Sequence, residues 1–305
     1  MDKRSFIKRA ALGAMAVSLK PTAWITAGEE TPIVDTHLHL WDRSVMDYPW
    51  LSGILDRDFL VKDFSQATQG IPIKKMVFVE CARKPEQYLT EVKWVEERAR
   101  EDQRIQGMVA YFPLEKGESY RKEMEELAGH KIVRSIRKGV DKELLQNRQF
   151  LEGAKMMDEK GLNYDLNIQP DLMKEALSFV RKFPNMQFIL NHIANPSIAS
   201  GQHWEIWKEQ LVELSRLDNV NCKVSGMITK ADPSSWKVSD LHPYFDHVMN
   251  TFGPDRVVYG GDWPVVLRAG SYMDWMQAFL TLTSDLSMDE KELLYFKNAE
   301  RIYRI

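Results

Sequence analysis

From Pro32 onward the chain alternates short apolar runs with longer stretches whose apolar residues recur at helical spacing, and this alternation constrains the fold more than any other feature. The apolar runs are 33–37, 76–80, 108–112, 132–137, 163–167, 187–192, 220–224 and 256–260. Between them, 86–101, 115–128, 147–160 and 204–217 read as amphipathic helices. Eight strands alternating with helices predict a (β/α)8 TIM barrel, a single domain over 31–305. With 305 residues, 44% of them hydrophobic, the chain can fill one such core. Segment 41–69 interrupts the alternation between the first two runs. It is rich in aromatic and charged residues and too long for an ordinary connection, so it is expected to form a long loop over the mouth of the barrel.

Charge excludes some partners. The formal net charge is -3 with both signs interspersed, which gives no footprint for a nucleic-acid partner. The two cysteines, Cys81 and Cys222, lie in apolar runs and are expected to be buried thiols; they cannot make a disulfide scaffold or, alone, a thiolate zinc site. No segment has the length and apolarity of a membrane span.

The first residues differ from the rest. Lys3, Arg4, Lys8 and Arg9 precede an apolar stretch at 10–19 that is well below the roughly 20 residues a span needs. Residues 1–28 are therefore expected to be an export signal, similar to a twin-arginine signal with Lys3 in place of the first arginine. That reading places the chain in the periplasm, and in the cytoplasm if the signal is not used.

The chemistry-bearing residues fall at run ends. His37 and His39 end the first run, two apart, so their rings point the same way. His192 ends the sixth run and Asp262 follows the eighth. Active sites of this fold sit where strands end, so these positions converge. Neutral imidazole is the common ligand of a borderline divalent ion, and a carboxylate beside it can take a proton from water. Each residue alone also has a plainer reading: hydrogen-bonding histidines, and an aspartate capping the turn before Pro264.

Longer motifs carry a resemblance. The chain resembles the amidohydrolase-related lactonases, the group of L-fuconolactonase and L-rhamnonolactonase-type enzymes. The matching stretches are Asp35-Thr36-His37-Leu38-His39-Leu40-Trp41-Asp42, Tyr48-Pro49-Trp50-Leu51, Arg57-Asp58-Phe59, Ser135-Ile136-Arg137, Asn191-His192-Ile193-Ala194-Asn195-Pro196, Cys222-Lys223-Val224-Ser225-Gly226 and Phe252-Gly253-Pro254-Asp255-Arg256 leading into Gly261-Asp262-Trp263-Pro264. Asn298-Ala299 with Tyr303 closes the chain in the same manner. It departs from the group at Asn191 (usually Asp), Gly261 (usually Ser), Lys138 (often His) and Glu80 (usually Gln). The bridging Lys or Glu on strand four and the His on strand five of two-metal relatives are absent.

The resemblance implies a hydrolase that opens a sugar lactone, such as L-fuconolactone or L-rhamnonolactone. It further implies at most one divalent ion, zinc first, on His37, His39, His192 and Asp262. Metal-free chemistry is the other option, with Asp262 as base and the histidines polarising the carbonyl. Arg137, Lys223, Glu80 and Gln169 are expected to bind hydroxyls or the carbonyl, and Trp41, Trp50 and Trp263 to cover a sugar face. Arg137 is the one arginine placed at a strand end, so a neutral polyhydroxylated lactone is expected. Two rival readings are a metal-dependent non-oxidative decarboxylase of the same superfamily and a non-catalytic sugar-binding barrel.

Overall fold

The structure, a computed structural model, describes residues 31–305. The export-signal expectation over 1–28 lies outside them. Eight parallel strands run in the order of the sequence: β1 (Ile33–Leu38), β2 (Ile73–Val79), β3 (Ile105–Ala110), β4 (Val133–Ile136), β5 (Asn163–Leu166), β6 (Phe188–Leu190), β7 (Val220–Val224) and β8 (Val257–Tyr259). The helices are α1 (Val61–Ala67), α2 (Tyr88–Glu101), α3 (Arg121–Gly129), α4 (Arg148–Glu159), α5 (Met173–Val180), α6 (Trp204–Ser215), α7 (Met227–Lys230), α8 (Val238–Phe252), α9 (Tyr272–Leu282), α10 (Met288–Glu292) and α11 (Asn298–Tyr303). The predicted (β/α)8 TIM barrel is thus the observed architecture.

Sequence dictates this locally. The strands are largely buried on both faces, as strands covered inside and out must be. Along them, alternate residues enter two different clusters. Val77, Val79, Val109, Ile189 and Val258 pack inward with Ala299, Ile302 and Tyr303 of α11. Their neighbours Met76, Phe78, Met108, Phe188, Leu190, Val257 and Tyr259 pack outward against the helices. Helix starts carry their own signals. Ser271 and Asp274 form a reciprocal cap at α9, and Asn147 accepts from Phe150 N at 3.0 Å to start α4.

The ring closes between β8 and β1. Asp262 N donates to His37 O at 2.8 Å, His39 N to Trp263 O at 2.8 Å, and Thr36 Oγ1 to Tyr259 O at 2.6 Å. Below this seam the barrel holds a polar network. Asp165 on β5 accepts from Lys223 Nζ on β7 at 2.8 Å, Asn191 Nδ2 at 2.8 Å and Ser135 Oγ at 2.7 Å. Tyr303 OH reaches the same carboxylate from α11 at 3.0 Å.

Segment 41–69 is more ordered than a loop. Trp41 and Phe59 exchange both backbone hydrogen bonds at 2.9 Å, and a 3-10 turn at Gly53–Leu55 and α1 follow. Cys81 and Cys222 are buried free thiols. No helix among the described residues is long and apolar enough to cross a membrane.

Candidate active site

His37 lies in β1 and His39 just past it, and their Nε2 atoms meet at 3.2 Å. Asp262 follows β8 with φ of 55°, a left-handed conformation that turns its carboxylate back over the seam. Its Oδ1 lies 3.7 Å from each of the two Nε2 atoms. All three groups are buried.

Protonation follows from the neighbours. His39 Nδ1 sits 2.8 Å from Val79 O, and a carbonyl only accepts, so Nδ1 carries the proton and the Nε2 lone pair faces Asp262. His37 Nε2 faces Arg137 Nη1 at 3.4 Å, and a guanidinium only donates, so this nitrogen too presents a lone pair. His37 Nδ1 is buried without a partner among the described residues. Burial, with the nearby charges of Lys223 and Arg137, pushes the His37 imidazolium far below its usual range. Burial and Arg137 lower His39 to about 3. Burial pushes Asp262 up to about 7, and Arg137 opposes that rise.

Two lone pairs and a carboxylate oxygen therefore converge with no proton shared among the imidazoles. This is the donor set a divalent cation takes, and the separations of 3.2 and 3.7 Å approach the edges of a tetrahedron with bonds of about 2.1 Å. The three donors His37, His39 and Asp262 fit a metal ion.

His192, expected as a fourth ligand, stands beside this cluster and outside it. Its ring centroid is 4.4 Å from that of His37, and its Nδ1 is 2.8 Å from Ser225 Oγ. Residues 192–195 all have positive φ, which turns the chain sharply at the end of β6 and puts the imidazole in the pocket wall. Gly226, at φ of 62°, makes room for it: a Cβ there would lie 2.6 Å from His192 Nδ1. At Gly261, a Cβ would lie 2.3 Å from Tyr272 Cε2 and 2.4 Å from Asp35 Oδ2, so Tyr272 fills the space a serine would need.

Above the cluster lies a cavity of about 360 Å³, lined in part by Arg137, Gln169, Trp50, His192, Lys230 and Arg268. Other expected binders are placed elsewhere. Trp41 and Trp263 are fully buried, packed edge-on against Phe59 at 5.2 Å each, because segment 41–69 folds down onto them. They do not face the cavity. Trp41 instead supports Trp50, whose ring is 5.5 Å away. Glu80 lies beneath the cavity and holds Arg137 Nε at 2.8 Å; burial raises its pKa, but Arg137 and Arg83 outweigh that and keep it ionised. Lys223 is also out of reach, since its ammonium is spent on Asp165 and Thr36 O, both at 2.8 Å.

Two cavity cations escaped the sequence reading. Lys230 ends α7 after β7, and Arg268 ends a 3-10 turn at Val265–Arg268 after β8. Their signal was only that both follow strand ends closely. They change the charge count from which a neutral substrate was expected.

The family model described as amidohydrolase matches residues 34–305. An L-fucono-1,5-lactonase of Burkholderia ambifaria is 28% identical over 89% of this chain and 95% of that protein. An L-rhamnono-gamma-lactonase of Scheffersomyces stipitis is 26% identical over 53% of this chain and 55% of that protein. Among solved structures, an amidohydrolase from Burkholderia multivorans with bound Zn has a TM-score of 0.81 at 26% identity, covering 90% of this chain and 99% of that one.

Proposed function

This chain belongs to the amidohydrolase family, and from there we propose that it hydrolyses the ester bond of a small sugar lactone. The observation that carries the reading is Asp262: a buried carboxylate, pushed up to about 7, set against neutral imidazoles at the floor of a polar cavity. Such a group is placed to take a proton from water near neutral pH. The lactonase names of the relatives in Burkholderia ambifaria and Scheffersomyces stipitis support the same substrate class. L-Fuconolactone and L-rhamnonolactone are the first compounds to try.

The step follows from these positions. Asp262 accepts a proton as the water oxygen bonds to the lactone carbonyl carbon. Arg137, fixed by Glu80, points its Nη1 at the cluster and stabilises negative charge on the carbonyl oxygen. The bond from that carbon to the ring oxygen then breaks. Asp262 returns the proton to the leaving oxygen, and the product is an open-chain hydroxy acid. Trp50 and Gln169 line the cavity and are assigned to the sugar. One divalent ion, zinc by the donor types, held by His37, His39 and Asp262 would supply Lewis acidity to the carbonyl.

Lys230 and Arg268 also suit the carboxylate of an acid that loses CO2, which keeps decarboxylation as the second reading. A panel of aldonolactones and phenolic acids, run with and without chelator and with metal content measured alongside, separates the two. Lactone hydrolysis that falls with chelation is expected. Clean decarboxylation without turnover of any lactone would sink the lactonase reading.

Residues 1–28 are proposed as the export signal, which puts the enzyme in the periplasm. Fractionation of producing cells should place the protein there, and a wholly cytoplasmic pool would refute it.

A further inference from the structure

The cavity holds more positive charge than its chemistry uses. Three cations line it: Arg137, Lys230 and Arg268. Among the described residues Asp262 is the one carboxylate on its wall, and Glu80 lies below, bonded to Arg137. The histidines are neutral, so one positive charge is left over with Asp262 ionised, and two with it protonated.

The surplus has a location. Arg137 is committed, with Nε on Glu80 Oε1 at 2.8 Å and Nη2 on Glu80 O at 2.7 Å. Lys230 Nζ and the Arg268 guanidinium make no hydrogen bond or ion pair among the described residues. Arg268 lies 5.9 Å from the Trp50 ring centroid, at the outer edge of cation–π range. Lys230 is half-buried, and burial lowers its pKa, with Asp262 opposing and Arg268 adding to the drop. An ammonium and a guanidinium that repel each other in a partly desolvated wall raise the energy of the site until an anion arrives.

Resting on the lactonase reading, we infer that the substrate carries a carboxylate away from its reacting ester, and that Lys230 and Arg268 bind it. The ring opens over Asp262, Arg137 and the histidines, while the remote carboxylate is held between α7 and the turn after β8. An aldarolactone, which has a carboxylate where an aldonolactone has a hydroxymethyl group, has this form. Two cations also fit the bidentate geometry of a carboxylate better than a hydroxyl.

Two measurements on the full chain test this. The first compares kcat/KM for an aldonolactone and the matching aldarolactone in the wild type and in Lys230→Met, Arg268→Met and the double variant. The wild type should prefer the aldarolactone by tenfold or more. Each single variant should shrink that ratio, mainly through KM, and the double variant should abolish it. The second needs no turnover: calorimetry compares the open-chain aldonate and aldarate. The aldarate should bind at least tenfold tighter to the wild type, with the difference gone in the double variant and reduced by added NaCl. A wild-type preference for the aldonolactone, or a preference untouched by both substitutions, overturns the inference even if lactones are hydrolysed. Failure to hydrolyse either lactone, with the binding preference intact, instead removes the lactonase reading and leaves the carboxylate subsite standing.

Discussion

Replacing Asp262 with Asn is expected to lower kcat by roughly 10²–10⁴-fold, the range a positioned general base supplies. The amide has the same shape and cannot accept the water's proton. Ligand affinity measured by calorimetry should persist, which separates a base from a mere wall residue. A barrel that only captured sugars would show neither turnover to lose nor any change in binding. Stability provides a second readout. Burial raises the Asp262 pKa from 3.8 to about 7, so the folded state holds this proton more tightly than the unfolded one. That contribution is complete below pH 3.8 and fades as pH climbs through about 7, where the ionised carboxylate is buried at a cost. In chelator at pH 8, Asp262→Asn should therefore melt at or above the wild type. A marked drop in Tm there, with activity retained, would contradict both assignments.

Asp165→Ala is expected to be the most damaging change to the barrel itself. Lys223 is completely buried and its ammonium pairs with this carboxylate. Removing one partner of a buried pair strands the other charge, at a cost of roughly 3–5 kcal/mol. In a domain of this size that is a fall in Tm on the order of 10 °C. Ser135, Asn191 and Tyr303 lose their shared acceptor in the same step. The control is Asp165→Ala combined with Lys223→Met. If the stranded ammonium causes the loss, the double variant should melt above the single one. A double variant that melts lower would assign the damage to the lost hydrogen bonds or the cavity instead.

The barrel was legible because each strand is a compact apolar run bounded by a helical period. His37, His39 and Asp262 were legible because a two-residue spacing and a strand end are local facts. What pairs with what across the ring was not. Tyr303 stood out only as part of a chain-end motif, and its contact with Asp165 joins residues 138 apart in the sequence. Trp41 and Trp263 have the right chemistry for a sugar face, but residue type does not reveal whether an indole meets a cavity or a neighbour. Phe59 and Phe64 took both. His192 stands beside the three converging donors and not among them, and left-handed residues at 192–195 set its direction, a conformation that non-glycine side chains give no reason to expect. Lys230 and Arg268 were missed because short turns after β7 and β8 fold them back over the cavity.

The seam between β1 and β8 makes this chemistry a late event in the life of the chain. Two of the three cluster groups leave the ribosome with the first strand, and the third follows the last strand. A nascent chain thus carries both histidines through most of its synthesis with no carboxylate opposite them. Until the last strand is in place, the half-built sheet lacks the third of the three donors. Once the ring shuts, any ion or product gripped by both edges acts as a clasp, and amide exchange at Asp262 and His39 should slow on ligation more than exchange elsewhere in the sheet.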